Sequence, residues 1–142
     1  MSIDRIENIQ RFVENTGDIP LMAEMLEKGK VSSVNVRYSS WGTNGTALMY
    51  QARYGTIKGM EFLMARKPPA LVNLEDSDGQ TALHWAVHSR NPAKLRFQLD
   101  NGADKTIRSD YGETALEFAR RKYNGPKECI EVLESYTPKL RG

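Results

Sequence analysis

His84 and His88 stand four residues apart in Thr81-Ala82-Leu83-His84-Trp85-Ala86-Val87-His88. On a helix that spacing puts two imidazoles on one face, as a metal pair would require. No second pair of cysteine or carboxylate ligands accompanies them, so a structural histidine at position 84 is the better reading than a metal ligand. The chain has one cysteine, Cys129, which excludes an internal disulfide and reads as a small buried residue rather than a reactive thiol. Motifs that would carry catalysis are missing. There is no Gly-rich phosphate loop, no Gly-x-Ser-x-Gly, no His-Glu-x-x-His and no nucleophile beside a base. The acidic pair Glu75-Asp76 reads as solvated charge in a turn. Neither an enzyme nor a bound cofactor or metal is expected.

The chemistry that remains is that of surface recognition. Two residues after the Leu of each Thr-Ala-Leu come Tyr50, Trp85 and Phe118; five after it come Arg53, His88 and Arg121, and six after it Tyr54, Ser89 and Lys122. Aromatic and Arg side chains anchor interfaces, but aromatics at a repeat spacing also pack between successive helices, and both readings stay open for Tyr50, Trp85 and Phe118. The basic run Arg120-Arg121-Lys122 with Lys127 would suit phosphate or an acidic peptide. Glu117, Glu128 and Glu131 lie close by and partly neutralise it, which makes nucleic acid the minority alternative. Net charge is +2 over the whole chain, too small to argue for a polyanionic partner by itself.

These side chains must be placed by a repeating scaffold. Asp78-Gly79-Gln80-Thr81-Ala82-Leu83-His84 recurs 33 residues later around Gly112-Glu113-Thr114-Ala115-Leu116, and 35 residues earlier as Thr46-Ala47-Leu48 behind the turn Trp41-Gly42-Thr43-Asn44-Gly45. After each copy comes a break and a second helical run. Asn91-Pro92 supplies an N-cap and a proline at the first helical position, Gly102 ends that helix, and Gly55-Thr56 and Asn124-Gly125-Pro126 open the equivalent helices. A fixed period of this length implies stacked units, each covering its neighbour's apolar face.

Residues 76–104 resemble the ankyrin repeat, whose unit carries Asp and Gly before Thr-Pro-Leu-His and a second helix closed by Gly-Ala; Ala82 stands in for the proline. The chain is identified as a member of that family. The resemblance implies an all-α solenoid of helix-turn-helix units joined by extended, β-hairpin-like turns. One domain is expected over residues 1–138, with units at about 3–36, 37–73, 74–106 and 107–136 and a disordered tail at 139–142. Three departures stand out: Asn44 where the turn glycine belongs, Arg90 where a glycine breaks the helix pair, and Lys67-Pro68-Pro69-Ala70 in place of the closing Gly-Ala. The end helices should be amphipathic caps, burying Ile3, Ile6, Ile9 and Val13 at one end and Ile130, Leu133 and Tyr136 at the other.

In this family the concave groove is built from first helices and turn tips. The resemblance therefore places Tyr50, Arg53, Tyr54, Trp85, His88, Phe118, Arg121 and Lys122 on or near the groove, and Trp41, Thr43, Asp78, Gln80 and Tyr111 at the tips. His84 falls where the family uses a histidine to tie turn to helix. The implied function is non-catalytic protein–protein interaction, as an adaptor or inhibitor whose partner is a protein of unstated identity. Nucleic-acid or phospho-ligand binding by the basic first helices is the alternative. The opening residues are charged throughout and no stretch approaches the roughly 20 apolar residues of a membrane span, so a cytoplasmic or nuclear monomer is expected.

Overall fold

The computed structural model describes residues 5–15, 17–39, 42–123 and 126–137. Ile3, Trp41, Asn124, Gly125 and the tail lie outside them. The elements run α1 (Ile6–Val13), α2 (Ile19–Glu27), β1 (Arg37–Tyr38), β2 (Gly45–Thr46), α3 (Ala47–Tyr54), α4 (Ile57–Met64), α5 (Ala82–Val87), α6 (Pro92–Asp100), α7 (Ala115–Tyr123) and α8 (Lys127–Ser135). First helices stack as α1, α3, α5, α7, and second helices as α4, α6, α8. The short strands pair antiparallel, Arg37 opposite Thr46 and Tyr38 opposite Gly45. The chain folds as the repeat solenoid its period implies.

Local chemistry starts the second helices. The Asp18 carboxylate accepts from the Leu21 amide at 2.9 Å, the Thr56 hydroxyl from Gly59 at 3.0 Å, and the Asn91 amide oxygen from Ala93 at 3.0 Å, each satisfying a donor that the first turn leaves without a partner. The three turn positions two residues before the threonine all take left-handed backbone, at φ 71° for Gly79, 78° for Gly112 and 52° for Asn44. Asparagine is among the few residues that tolerate this region. Arg90 takes it too, at φ 57°. Both departures from glycine therefore keep the backbone that glycine would give. In the longer loop after α4 the chain still closes, because Ala70 is buried and its amide donates to the Leu63 carbonyl at 3.0 Å.

Between units, polar side chains bridge what apolar packing leaves. Asn35 donates to Pro69 O at 3.2 Å and accepts from the Leu71 amide at 2.9 Å; Asn73 repeats the pattern one unit on, with Gly102 O at 3.1 Å and the Asp104 amide at 2.9 Å. At the last junction the Lys105 ammonium takes over, donating to Leu133 O at 3.1 Å and Tyr136 O at 3.0 Å, where helix carbonyls have no intrahelical partner. Backbone links join the turn tips as well, Ser77 N to Thr43 O at 2.9 Å and Asp110 N to Asp78 O at 2.8 Å.

His84 is the most consequential bridge. It is 1% exposed. Its Nδ1 accepts from the Thr81 amide at 3.2 Å and lies 3.0 Å from the Thr81 hydroxyl, while Nε2 is 2.9 Å from the Glu113 carbonyl. An accepting Nδ1 requires the proton on Nε2, so the ring is the neutral tautomer that donates into the next unit's turn.

The end caps differ from expectation. Ile6 is 73% exposed, Ile9 is half-buried, and Phe12 and Val13 are fully buried. Cover is one-sided: α1 packs against α2, α3 and β1, and its buried residues, Phe12 and Val13, lie at its C-terminal end. In α8 the buried residues are Cys129, Val132 and Leu133, with Ile130 and Tyr136 only partly covered. That helix turns its face between α6 and α7 instead of toward one of them.

Replacing His84 with Ala removes a buried ring, leaves the Thr81 amide without its acceptor and takes away one of the two donors to the Glu113 carbonyl. Chemical denaturation should show a loss of about 2–4 kcal/mol. Arg90→Gly relieves a left-handed arginine at an exposed site and should stabilise by about 0.5–1 kcal/mol in the same assay.

Candidate functional site

The first helices α3, α5 and α7 align their aromatic and basic residues as a stacked strip. The Tyr50 ring lies 6.0 Å from Tyr54 and 5.2 Å from Trp85, centroid to centroid, and His88 lies 5.2 Å from Phe118. Tilted rings at such separations attract through edge and face. Arg53 places its guanidinium 4.9 Å from the Tyr54 ring centre and Arg121 places its own 5.6 Å from Phe118, within reach of a cation–π attraction. The strip needs close approach at its edge. A Cβ on Gly45 would stand 3.2 Å from both the Trp85 and Tyr50 rings, so glycine lets β2 lie against them.

Exposure divides the candidates. Trp85 and Phe118 are each 6% exposed and Tyr50 is half-buried, whereas Tyr54 and Tyr111 are 58% and 68% exposed. Most of the surface of Trp85 and Phe118 is therefore spent on packing between helices. The accessible part of the strip is the row that follows them: Arg53, Tyr54, His88, Arg121 and Lys122.

Trp85 also has its polar edge occupied, since its Nε1–H donates to Asp76 Oδ2 at 2.9 Å while Oδ1 accepts from the Asp78 and Gln80 amides, each at 2.9 Å. This corrects the expectation that Asp76 is solvated turn charge: it is 9% exposed and shapes the tip. A signal existed in the sequence, because Ser109 stands 33 residues later and its amide closes onto the Glu113 carbonyl at 2.9 Å as Asp76 closes onto Gln80 at 2.8 Å. Small hydrogen-bonding residues open such turns.

The tips form a second row beside the strip. Thr43 and Asp78 give their carbonyls to the neighbouring tip, Gln80 closes its own turn through its backbone, and the Tyr111 hydroxyl approaches Asp78 Oδ1 at 3.5 Å, longer than an ordinary O–H···O bond. The two rows are tied at Glu113, whose carboxylate accepts from Arg121 Nε at 2.6 Å and Nη2 at 2.9 Å. Arg121 beside it holds the Glu113 carboxyl below its usual range. Such a bidentate pair fixes the guanidinium in place. Trp41 lies outside the described residues.

Burial pushes His84 below the usual imidazole value. His88 is pushed down to about 4, first by desolvation and then by the charges of Arg53 and Lys122, which reach it from α3 and α7. The strip at neutral pH thus presents two cations around an uncharged imidazole. Among the described residues no three of His, Cys, Asp and Glu converge as metal ligands, and no helix is long and apolar enough to cross a membrane.

A family model described as ankyrin repeats, in three copies, matches residues 9–109 and 48–140. Similar proteins include a transient receptor potential cation channel subfamily A member 1 homolog of Caenorhabditis elegans, 29% identical over 82% of this chain and 9% of that protein. An L-asparaginase of Dirofilaria immitis is 32% identical over 71% of this chain and 16% of that protein, and the human NF-kappa-B inhibitor epsilon is 31% identical over 47% and 14%. The chain spans no more than about a fifth of the length of the curated relatives it matches. Among solved structures, one chain in the complex of the Bd0816 predatory endopeptidase with immunity protein Bd3460, from Bdellovibrio bacteriovorus, superposes with TM-score 0.66 at 24% identity, over 83% of this chain and 58% of that one. That likeness is one of fold.

A histidine whose folded value is depressed withdraws stability as pH falls, because the unfolded chain takes up the proton first. The window runs from the ordinary 6.5 down to about 4. The stability of wild type minus that of His88→Asn should therefore shrink across this range, by about 1–2 kcal/mol once solvent screening of a half-exposed ring is allowed for. Urea midpoints at pH 7 and pH 4.5 check it; a constant difference would contradict it.

Proposed function

The chain belongs to the ankyrin-repeat family, whose repeats mediate protein–protein interaction, and from that premise we propose that it is a non-catalytic intracellular adaptor or inhibitor, monomeric alone, that docks a partner protein on the face made by its first helices and turn tips. The observation that carries this reading is the strip of accessible rings and cations on α3, α5 and α7, held in place by packing beneath and by the Arg121–Glu113 pair at its side. Side chains fixed before binding lose little entropy on docking, and Tyr and Arg are the residues that most often dominate interface energies. Among the proteins matched, one carries the word inhibitor in its name, which agrees with an occluding role. A lone buried cysteine agrees with a reducing compartment.

The asparaginase similarity covers 16% of that enzyme and lends no catalytic residues to this chain. A nucleic-acid reading is disfavoured by charge pairing. Arg108 pairs with Glu117, Arg120 with Glu134 and Arg121 with Glu113, so much of the basic surface of the last unit is already neutralised. Duplex binders typically engage about 6–10 phosphates.

Affinity capture from the native host's lysate, read by mass spectrometry, tests the docking face. Wild type is compared with a Tyr54→Ala, Tyr111→Ala, Arg121→Ala triple variant shown to be folded by circular dichroism. A protein retained by wild type and reduced at least about tenfold on the variant, equal to about 1.4 kcal/mol, is the expected result. Equal recovery on both would move the interface off this face.

A further inference from the structure

The cations of the strip are not alike. Among the described residues four ion pairs form, and three of them occupy Arg108, Arg120 and Arg121. Arg53 and Lys122 are in none of these pairs. They stand on α3 and α7, either side of α5, and both act electrostatically on His88 between them. On one flank Tyr54 is 58% exposed beneath the Arg53 guanidinium; on the other the His88 ring leans on Phe118.

We propose that the segment recognised on this face is acidic and amphipathic: one or two carboxylates seated between Arg53 and Lys122 above His88, followed by an aromatic or branched apolar side chain that packs on Tyr54 and Tyr50. The inference rests on the reading of this face as a protein-docking surface and names the chemistry of what docks there.

Three physical points carry it. The first is complementarity. Two cations without a carboxylate in ion-pair contact, facing one half-buried ring, leave a local positive field where a carboxylate loses little on desolvation, because it gains charge-assisted hydrogen bonds. The second is the state of His88. Desolvation and the same two charges keep it uncharged near neutral pH; a carboxylate held beside it offsets those charges and favours protonation of the ring, which then adds to the attraction. The third is economy of charge. Two unpaired cations match one or two carboxylates and fall well short of the about 6–10 phosphate contacts of a nucleic-acid binder. The exposed Tyr54 ring supplies the apolar half of the site, since a tyrosine face offers contact area at small entropic cost.

Selection from a random twelve-residue peptide display library on the immobilised chain tests the proposal, with binding of the enriched peptides then measured by fluorescence anisotropy. Three proteins are compared: wild type, an Arg53→Gln, Lys122→Gln variant and a Tyr54→Ala variant, each checked for folding by thermal melting. The expected result is enrichment of peptides with Asp or Glu beside an aromatic or branched residue. These should weaken at least about tenfold on Arg53→Gln, Lys122→Gln and more weakly at raised salt. Enriched peptides of neutral or basic composition that still depend on Tyr54 would overturn the acidic specificity while leaving the docking face intact. Acidic peptides that bind all three proteins equally would overturn both, and so would a library without enrichment. A thirty-nucleotide oligothymidylate that binds wild type more tightly than any selected peptide would replace the proposal with a nucleic-acid site.

Discussion

Everything in this molecule depends on a constraint at the junction between units: a helix pair with one apolar face cannot fold by itself, so the polar groups left at that face must find partners in the next pair. His84 meets the constraint most directly. Its Nδ1 closes on Thr81 in its own turn and its Nε2 reaches the Glu113 carbonyl 29 residues on. A neutral ring is required, and burial keeps it neutral. The asparagines at positions 35 and 73 solve the same problem at the other edge of the stack, each offering one donor and one acceptor to a loop about thirty residues ahead. In a solenoid this pairing recurs at every step with the same geometry, so one solution serves several junctions.

How far the sequence disclosed this can be judged residue by residue. The period, the Thr-Ala-Leu frame, the caps at Asn91 and Thr56 and the buried tie at His84 are local signals, and local signals survive in a repeat because each unit meets nearly the same surroundings. Even the departures at Asn44 and Arg90 keep the left-handed backbone of the glycines they replace. What escaped was anything decided by cover from outside the unit. Tyr50, Trp85 and Phe118 share one register position, yet Tyr50 stays half-open while the other two are nearly closed off. Ile6 has the right periodicity for a buried face and lies in water, at the end of α1 away from its buried residues Phe12 and Val13. Asp76 escaped differently, since the indole that covers it stands nine residues on in the same unit, and only the register it shares with Ser109 hinted at its role in the turn.

The strip on α3, α5 and α7 inherits its rigidity from the same junctions. Glu113 is the clearest case, for its carbonyl receives His84 from the preceding unit and Ser109 from its own, while its carboxylate grips Arg121 through two hydrogen bonds. A backbone held by two donors cannot drift, so the guanidinium anchored to its side chain is aimed by the core beneath it. Trp85 transmits in the opposite direction: its ring fills the space between helices, and its N–H fixes the carboxylate that folds the tip bearing Asp78 and Gln80. Such coupling means that the accessible residues of the strip are positioned by residues buried beneath it. It also explains why the accessible row is polar. The large rings are consumed in tying one unit to the next, and the side chains left accessible are those one helical step beyond them, Arg53, Tyr54, His88, Arg121 and Lys122, where a cation or a phenol can stand on an aromatic floor already paid for by folding.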